Sequence, residues 1–498
     1  MLNQQTHTLT SATVRPLVVD RVPESARNWQ NEFLTSADPE QTLFDHLDAF
    51  SAMCDRTGAS WQPGSPLKLL LAGYSGAGNV GTEMRTGEIL RQLRHLLGER
   101  AVEFTALSMS PALPQDVLPG VSCLRLGAGY IPDVILRATQ QHHGTIACEG
   151  SMFKSTFANV LSAIMAAALG MASRSGKLSI GYGAEVSHMD PLLEEFVRDQ
   201  VGQSLVVCRN EPSLLAATAL GLRAELGADT AWTFAASPRE TAVTLLRGMG
   251  WNGSDPILTI CPMNPFWWPV QPSPRMALEL QRSGAHKERH FASVFFHSSS
   301  PEIDGKYRRY IGELAHSVRE LIRIRSAFPV VVAMDRVDRQ ACSDLIDALG
   351  RSAATIVGGN HPVGDVIAVL RTSDLLISSR FHALVGAMPA GVPSIGIAMD
   401  ERIANLLSEN GQSERLLAAD DPEVGHRILA VASRLHRTDV EKASRRTVGD
   451  AIVAIGRMGD AFVRELHRVL PEFPLPARLP TWTSYVAPLP SEIEEFLS

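Results

Sequence analysis

The chain has no Cys-x-x-Cys pair; its six cysteines, Cys54, Cys123, Cys148, Cys208, Cys261 and Cys342, are widely scattered. That spacing excludes a structural zinc knuckle and a disulfide framework, and fits a reducing cytoplasmic compartment. Cys148, Cys208 and Cys261 sit at or beside apolar runs and read as buried free thiols. The chain also lacks an excess of positive charge. A net charge of −7 gives no global basic field, so nucleic-acid binding is not expected. The stretch from Met1 to Asp20 has no apolar signal-peptide core. The one candidate membrane segment, Phe157 to Ala172, is Ala-rich, barely long enough and carries Asn159 and Ser162, and reads better as a buried helix. No internal repeat of fixed period is present.

What is there is an ordinary globular composition, 45% hydrophobic and 20% charged, in 498 residues. That length exceeds one ordinary core and predicts two main domains. Short apolar strands alternate with helices of 3.6-residue spacing, the pattern of parallel α/β sheets. We divide the chain into an N-terminal extension (1–65), a Rossmann-like domain (66–240), a second Rossmann-like domain (250–435), and a C-terminal helix with a proline-rich tail (436–498). In the extension, Leu43, Phe44, Leu47, Phe50 and Met53 have helical spacing. Residues Thr233 to Gly253 read as the interdomain connection. Gln271 to Lys306 reads as a long loop or insertion, followed by a helix from Lys306 to Ala327.

Chemistry concentrates in three stretches. Leu375-Leu376-Ile377-Ser378-Ser379-Arg380-Phe381-His382-Ala383 is a buried strand, a polar turn and a helix start, then Gly391-Val392-Pro393 and a second strand. Arg380 and His382 fall where the strand hands over to the helix, where open α/β sheets bind ligands. Arginine grips carboxylate or phosphate with paired hydrogen bonds, and histidine exchanges a proton near neutrality. The alternative is structural: Arg380 paired with a helix carboxylate and His382 bonded to backbone. Leu205-Val206-Val207-Cys208-Arg209 repeats the plan, an apolar strand ending in arginine, and Glu211 is within reach as a simple partner.

The third stretch is Gly73-x-x-Gly76-x-Gly78-Asn79-x-Gly81-Thr82-Glu83, between an apolar strand and a helix. Backbone N–H groups and a helix dipole converge in such a turn, which suits an anion. It is neither the dinucleotide fingerprint nor the Walker loop. A tight strand-to-helix turn with Thr82 as N-cap is the plain alternative. Trp267 and Trp268, adjacent in a proline-rich loop, read either as contacts for a sugar or a membrane surface or as packing for the loop.

Together these motifs, in this order, resemble the polysaccharide pyruvyl transferase family over roughly residues 66 to 430. The resemblance implies a GT-B-like pair of Rossmann-like domains with the active site in the interdomain cleft. It implies transfer of the enolpyruvyl unit of phosphoenolpyruvate to two hydroxyls of a sugar or lipid-linked glycan, closing a pyruvate ketal and releasing phosphate. By position, Arg209, Arg380 and His382 bind the donor and act in catalysis, with His382 protonated as general acid. Gly76, Gly78, Asn79 and Gly81 contribute the glycine loop at the cleft. No metal or organic cofactor is implied, and a cytoplasmic location at the inner face of the membrane fits. Three positions depart from the pattern: Thr82 replaces an aspartate, Cys148-Glu149-Gly150 replaces a glycine triplet, and Met399-Asp400-Glu401-Arg402 replaces a Tyr-Asp-x-Lys-like element. Two other readings remain: a glycosyltransferase using a nucleotide sugar in the same cleft, and a non-catalytic glycan-binding relative.

Overall fold

A computed structural model describes residues 32–498 except 34, 56–57, 109–112, 126–131, 284–294 and 476–477. Seven strands form the first sheet: β1 Leu67–Ala72, β2 Val102–Ser108, β3 Ser122–Arg125, β4 Gly144–Ala147, β5 Leu178–Ala184, β6 Leu205–Cys208 and β7 Arg223–Leu226. Their order is β3-β2-β1-β4-β5-β6-β7 and every pairing is parallel. After β8 Ile257–Cys261 comes an antiparallel ribbon, β9 Val270–Pro272 with β10 Phe295–His297. The second sheet adds β11 Phe328–Ala333, β12 Ala354–Val357, β13 Leu375–Ser378, β14 Ser394–Ala398 and β15 Leu416–Ala418 to β8. It runs β12-β11-β8-β13-β14-β15 and is again wholly parallel. The inner strands are buried on both faces, hence their unbroken apolar sequence.

Strand order fixes where a ligand can sit. In the first sheet the chain reverses direction of growth between β1 and β4, and in the second between β8 and β13. The loops that leave the carboxyl ends of such neighbours diverge and open a crevice. Those loops carry Gly73 to Asn79, Cys148 to Met152, Pro262 to Pro269, and Ser379 to Arg380. The two crevices meet: Val80 N–H donates to the Met334 carbonyl after β11 at 2.9 Å.

Helix starts follow capping chemistry. Asp38, Asp190, Asn210 and Ser300 each accept a backbone N–H from the first turn, with proline just inside the helix. The Ser300–Pro301 cap corrects the expected start at Lys306: the helix runs Pro301–Arg325. The stretch 271–306 is likewise no plain loop, since it holds the end of β9, a helix at Pro274–Ser283 and β10; residues 284–294 within it lie outside the described residues, as does the expected polar N-terminal segment. The presumed connection from Thr233 contains the helix Arg239–Gly248.

Helix Asn159–Arg174 covers most of the candidate membrane segment and is buried. It packs between the helices Pro39–Ala52 and Pro191–Val201 on the first sheet, and Gly170 lets Gln200 approach closely. No helix among the described residues is long and apolar enough to cross a membrane. The 33-residue helix Arg437–Val469, about 50 Å long at 1.5 Å per residue, touches both halves of the molecule. Its Met458 seats against Gly227, while its N-terminal part packs on the turn Met388–Ala390. The described cysteines are free, and Cys148, Cys208 and Cys261 are buried.

Candidate active site

The crevice between the sheets holds a small polar cavity. Arg209 reaches it from the end of β6, Arg380 from the end of β13, and His382 from the first turn of helix Phe381–Ala387. Asn79 and Gly81 also line it, together with Glu149 and Arg402.

Arg209 does not pair with Glu211. Its Nε and Nη2 face the Glu185 carboxylate, and its Nη1 donates to Asp229 Oδ2 at 3.1 Å. Asp229 also meets Arg85 Nε at 3.2 Å and His382 Nε2 at 3.4 Å. Burial would raise the Asp229 pKa, but Arg85, His382 and Arg209 outweigh burial and hold its carboxyl well below the usual range. The Arg209 guanidinium lies over the Phe381 ring, 4.4 Å from its centre. Arg380 is held by Asp338, with Nε to Oδ2 at 2.8 Å and Nη2 on the other oxygen. Burial pushes the Asp338 carboxyl up to about 6, against the pull of Arg380. Both arginines are therefore fixed by carboxylates behind them, which sets their geometry.

His382 is packed tightly. A Cβ on Gly81 would lie 2.1 Å from its Nδ1, so glycine at 81 makes room for the imidazole. Burial lowers the His382 pKa; Asp229 opposes this, while Arg85 and Arg209 add to it.

The glycine loop departs most from expectation. Gly76 and Gly78, both at φ 81°, shape the turn but do not line this cavity. The Gly78 N–H is taken by Glu83 Oε1 at 3.1 Å, and burial pushes the Glu83 carboxyl up to about 7. Asn79, not Thr82, is the N-cap: its Oδ1 accepts from Thr82 N–H at 3.0 Å, and its Nδ2 donates across the crevice to Asp335 at 2.7 Å. Thr82 instead donates its hydroxyl to Glu149 Oε2 at 2.8 Å. Two of the departures thus touch. A carboxylate expected on residue 82 arrives from residue 149.

The third departure closes the same crevice. Lys154 is fully buried and donates to Asp400 at 3.0 Å and to Glu401. Arg402 pairs with Asp400 at 2.8 Å and lies 4.3 Å over the Phe157 ring. Trp267 stacks on His297 at 4.0 Å, and Trp268 meets Phe157 edge-on at 5.0 Å. Both rings thus pack against neighbouring aromatic side chains. Sequence reading marked Glu149 only as a departure and missed Glu185, Asp229, Asp338 and Lys154, each an isolated charge whose partner is distant in the chain.

The profile of the polysaccharide pyruvyl transferase family matches residues 146–401, just over half of the chain. The chain belongs to the polysaccharide pyruvyl transferase family. The match contains Arg209, Arg380 and His382, and begins after the glycine loop. No curated protein matches the sequence. Among solved structures, a Listeria monocytogenes protein described as a UDP-N-acetylglucosamine 2-epimerase is similar at TM-score 0.50 and 12% identity, over 81% of this chain and 97% of that one. The S. aureus MnaA–UDP structure is similar at TM-score 0.50 and 10% identity, over 83% of this chain and all of that one, 100%. These likenesses speak to fold alone. They agree with the two facing parallel sheets of a GT-B-like architecture, so this pyruvyl transferase family member has the fold class its sequence predicts.

Proposed function

We propose that this chain transfers the enolpyruvyl unit of phosphoenolpyruvate onto two hydroxyls of a glycan acceptor, forming a pyruvate ketal and releasing phosphate. The observation that carries the reading is that Arg209, Arg380 and His382, from both sheets, line one cavity. Phosphoenolpyruvate has about three negative charges near neutrality, which suits two oriented guanidiniums. Arg380 Nη1 has no hydrogen-bond partner among the described residues, so it is open to a ligand oxygen.

His382 acts as general acid. The donor's phosphate, entering beside it, favours the charged imidazole by raising its pKa. Its proton goes to C3 as the enol double bond opens, and a sugar hydroxyl bonds to C2. The second hydroxyl then displaces phosphate from C2 and closes the ring. One hydroxyl proton offsets the proton spent on C3 and the other leaves with phosphate. The steps as written call on no metal or organic cofactor.

Calorimetric titration with phosphoenolpyruvate, beside a panel of nucleotide sugars, tests the reading. Donor binding that Arg380→Ala weakens at least tenfold supports it. His382→Ala should retain much of that binding and lose ~10²–10⁴ in turnover. Binding of a nucleotide sugar alone would replace pyruvyl transfer with glycosyl transfer.

A further inference from the structure

Beside the polar cavity lies a second chamber, open to solvent. Its far wall is apolar: Phe157, Val160 and Leu161 from the start of helix Asn159–Arg174, Trp268 from the loop after β8, and Val270 and Phe295 from the β9–β10 ribbon. The ribbon is anchored there by Val270 N–H, which donates to the Phe157 carbonyl at 2.8 Å. The insertion between β8 and the Pro301–Arg325 helix thus builds this wall. The chamber is not separate from the donor cavity. Asn79, Glu149, Ser151, Arg380 and Arg402 line both.

Two side chains mark this junction. The Trp268 indole N–H is buried and has no hydrogen-bond partner among the described residues, though its ring lines the chamber. Glu149 accepts one hydrogen bond on each oxygen, from Thr82 Oγ1 and from the Gly150 N–H, both at 2.8 Å. A carboxylate has about four acceptor sites, so capacity remains for a hydroxyl.

We propose that this chamber is the acceptor subsite, that it takes a pyranoside with an apolar aglycone, and that Glu149 accepts the proton of the attacking hydroxyl. Calling the occupant an acceptor rests on the pyruvyl-transfer reading above. The polar border suits the hydroxyl edge of a sugar, and the aromatic wall suits its C–H face. A free sugar would bury hydroxyls against Val160, Leu161 and Val270 with nothing to bond, whereas an apolar aglycone gains by leaving water. In the first bond-forming step the hydroxyl O–H bond breaks toward Glu149. The oxygen bonds to C2 of the donor, and the electrons of the C2–C3 double bond take the His382 proton at C3.

The test uses the full chain and phenyl and methyl pyranosides of glucose, galactose, mannose and N-acetylglucosamine, titrated calorimetrically without donor. At least one phenyl pyranoside should bind at least tenfold tighter than its methyl counterpart. Trp268→Ala and Leu161→Asp should each erase that preference while phosphoenolpyruvate affinity stays within twofold, which also shows the variants folded. No phenyl preference, or a preference that survives both substitutions, overturns the subsite. With donor present, Glu149→Gln should keep pyranoside affinity and lose at least 100-fold in ketal formation; an unaltered rate removes Glu149 as base. If phosphoenolpyruvate does not bind the unaltered chain, the donor reading fails, while a phenyl preference still upholds the chamber as a pyranoside site.

Discussion

Gly81→Ala probes the site through a single methyl group. The added Cβ would stand 2.1 Å from His382 Nδ1, 2.4 Å from Cγ and 2.8 Å from Cβ. Ordinary carbon contacts are roughly 3.5–4.0 Å, so the ring must move by more than an ångström. It cannot escape by turning alone, because its own Cβ is among the blocked atoms. Gly81 lies in the first turn of helix Val80–Leu97, where alanine by itself would stabilise by up to ~1 kcal/mol. Overpacking typically costs ~1–3 kcal/mol, so a net destabilisation of about 1–2 kcal/mol is expected. Turnover should fall further, on the order of 10²-fold for a 1 Å misplacement. A double-mutant cycle isolates the contact. In a His382→Ala background the two nearest atoms are gone and only the 2.8 Å contact remains. There Gly81→Ala should cost less than half as much by urea midpoint. An equal cost in both backgrounds would refute the reasoning, since the penalty would then arise elsewhere.

Glu83 carries a pH signature. Its carboxyl titrates near 7 in the fold because it is buried, but near 4.3 when unfolded. Between those values the folded chain holds the extra proton, so stability declines as pH rises through this window. Glu83→Gln should flatten that decline in melts from pH 5 to 8; an unchanged slope counts against it. Lys154→Ala leaves Asp400 buried with only Arg402, and should destabilise by ~3–5 kcal/mol, the range for breaking a buried pair. A melting temperature equal to that of the parent would show the cluster to be dispensable. Arg209→Lys keeps the charge but cannot span Glu185 and Asp229 together. Phosphoenolpyruvate affinity should drop at least tenfold by calorimetry, and full affinity would remove Arg209 from the donor site.

Local information was enough for much of the fold. The apolar runs Leu69–Ala72, Val206–Cys208 and Leu375–Ile377 could only be buried strands, and the spacing after each marked a helix. The exception is instructive. Ser300–Pro301 announced a helix that the polar stretch before it obscured, because capping is a two-residue signal while periodicity needs several turns. The Arg380-x-His382 turn was likewise visible, because adjacent residues at a strand end share one environment.

What the sequence by itself determined is the set of parts: parallel strands, the helices between them, and a cation and an imidazole at one strand's end. Family membership followed from their order. Only the tertiary structure decided which strands are neighbours, and hence which loops meet. It set Thr82 beside Glu149, gave Arg209 to Glu185 and Asp229, turned the Gly78 N–H toward Glu83, and put the β9–β10 ribbon against Phe157. The physical reason is that hydrogen bonds and ion pairs act over a few ångströms of space. Strand order brings together residues that lie far apart along the chain, and no local pattern records that order.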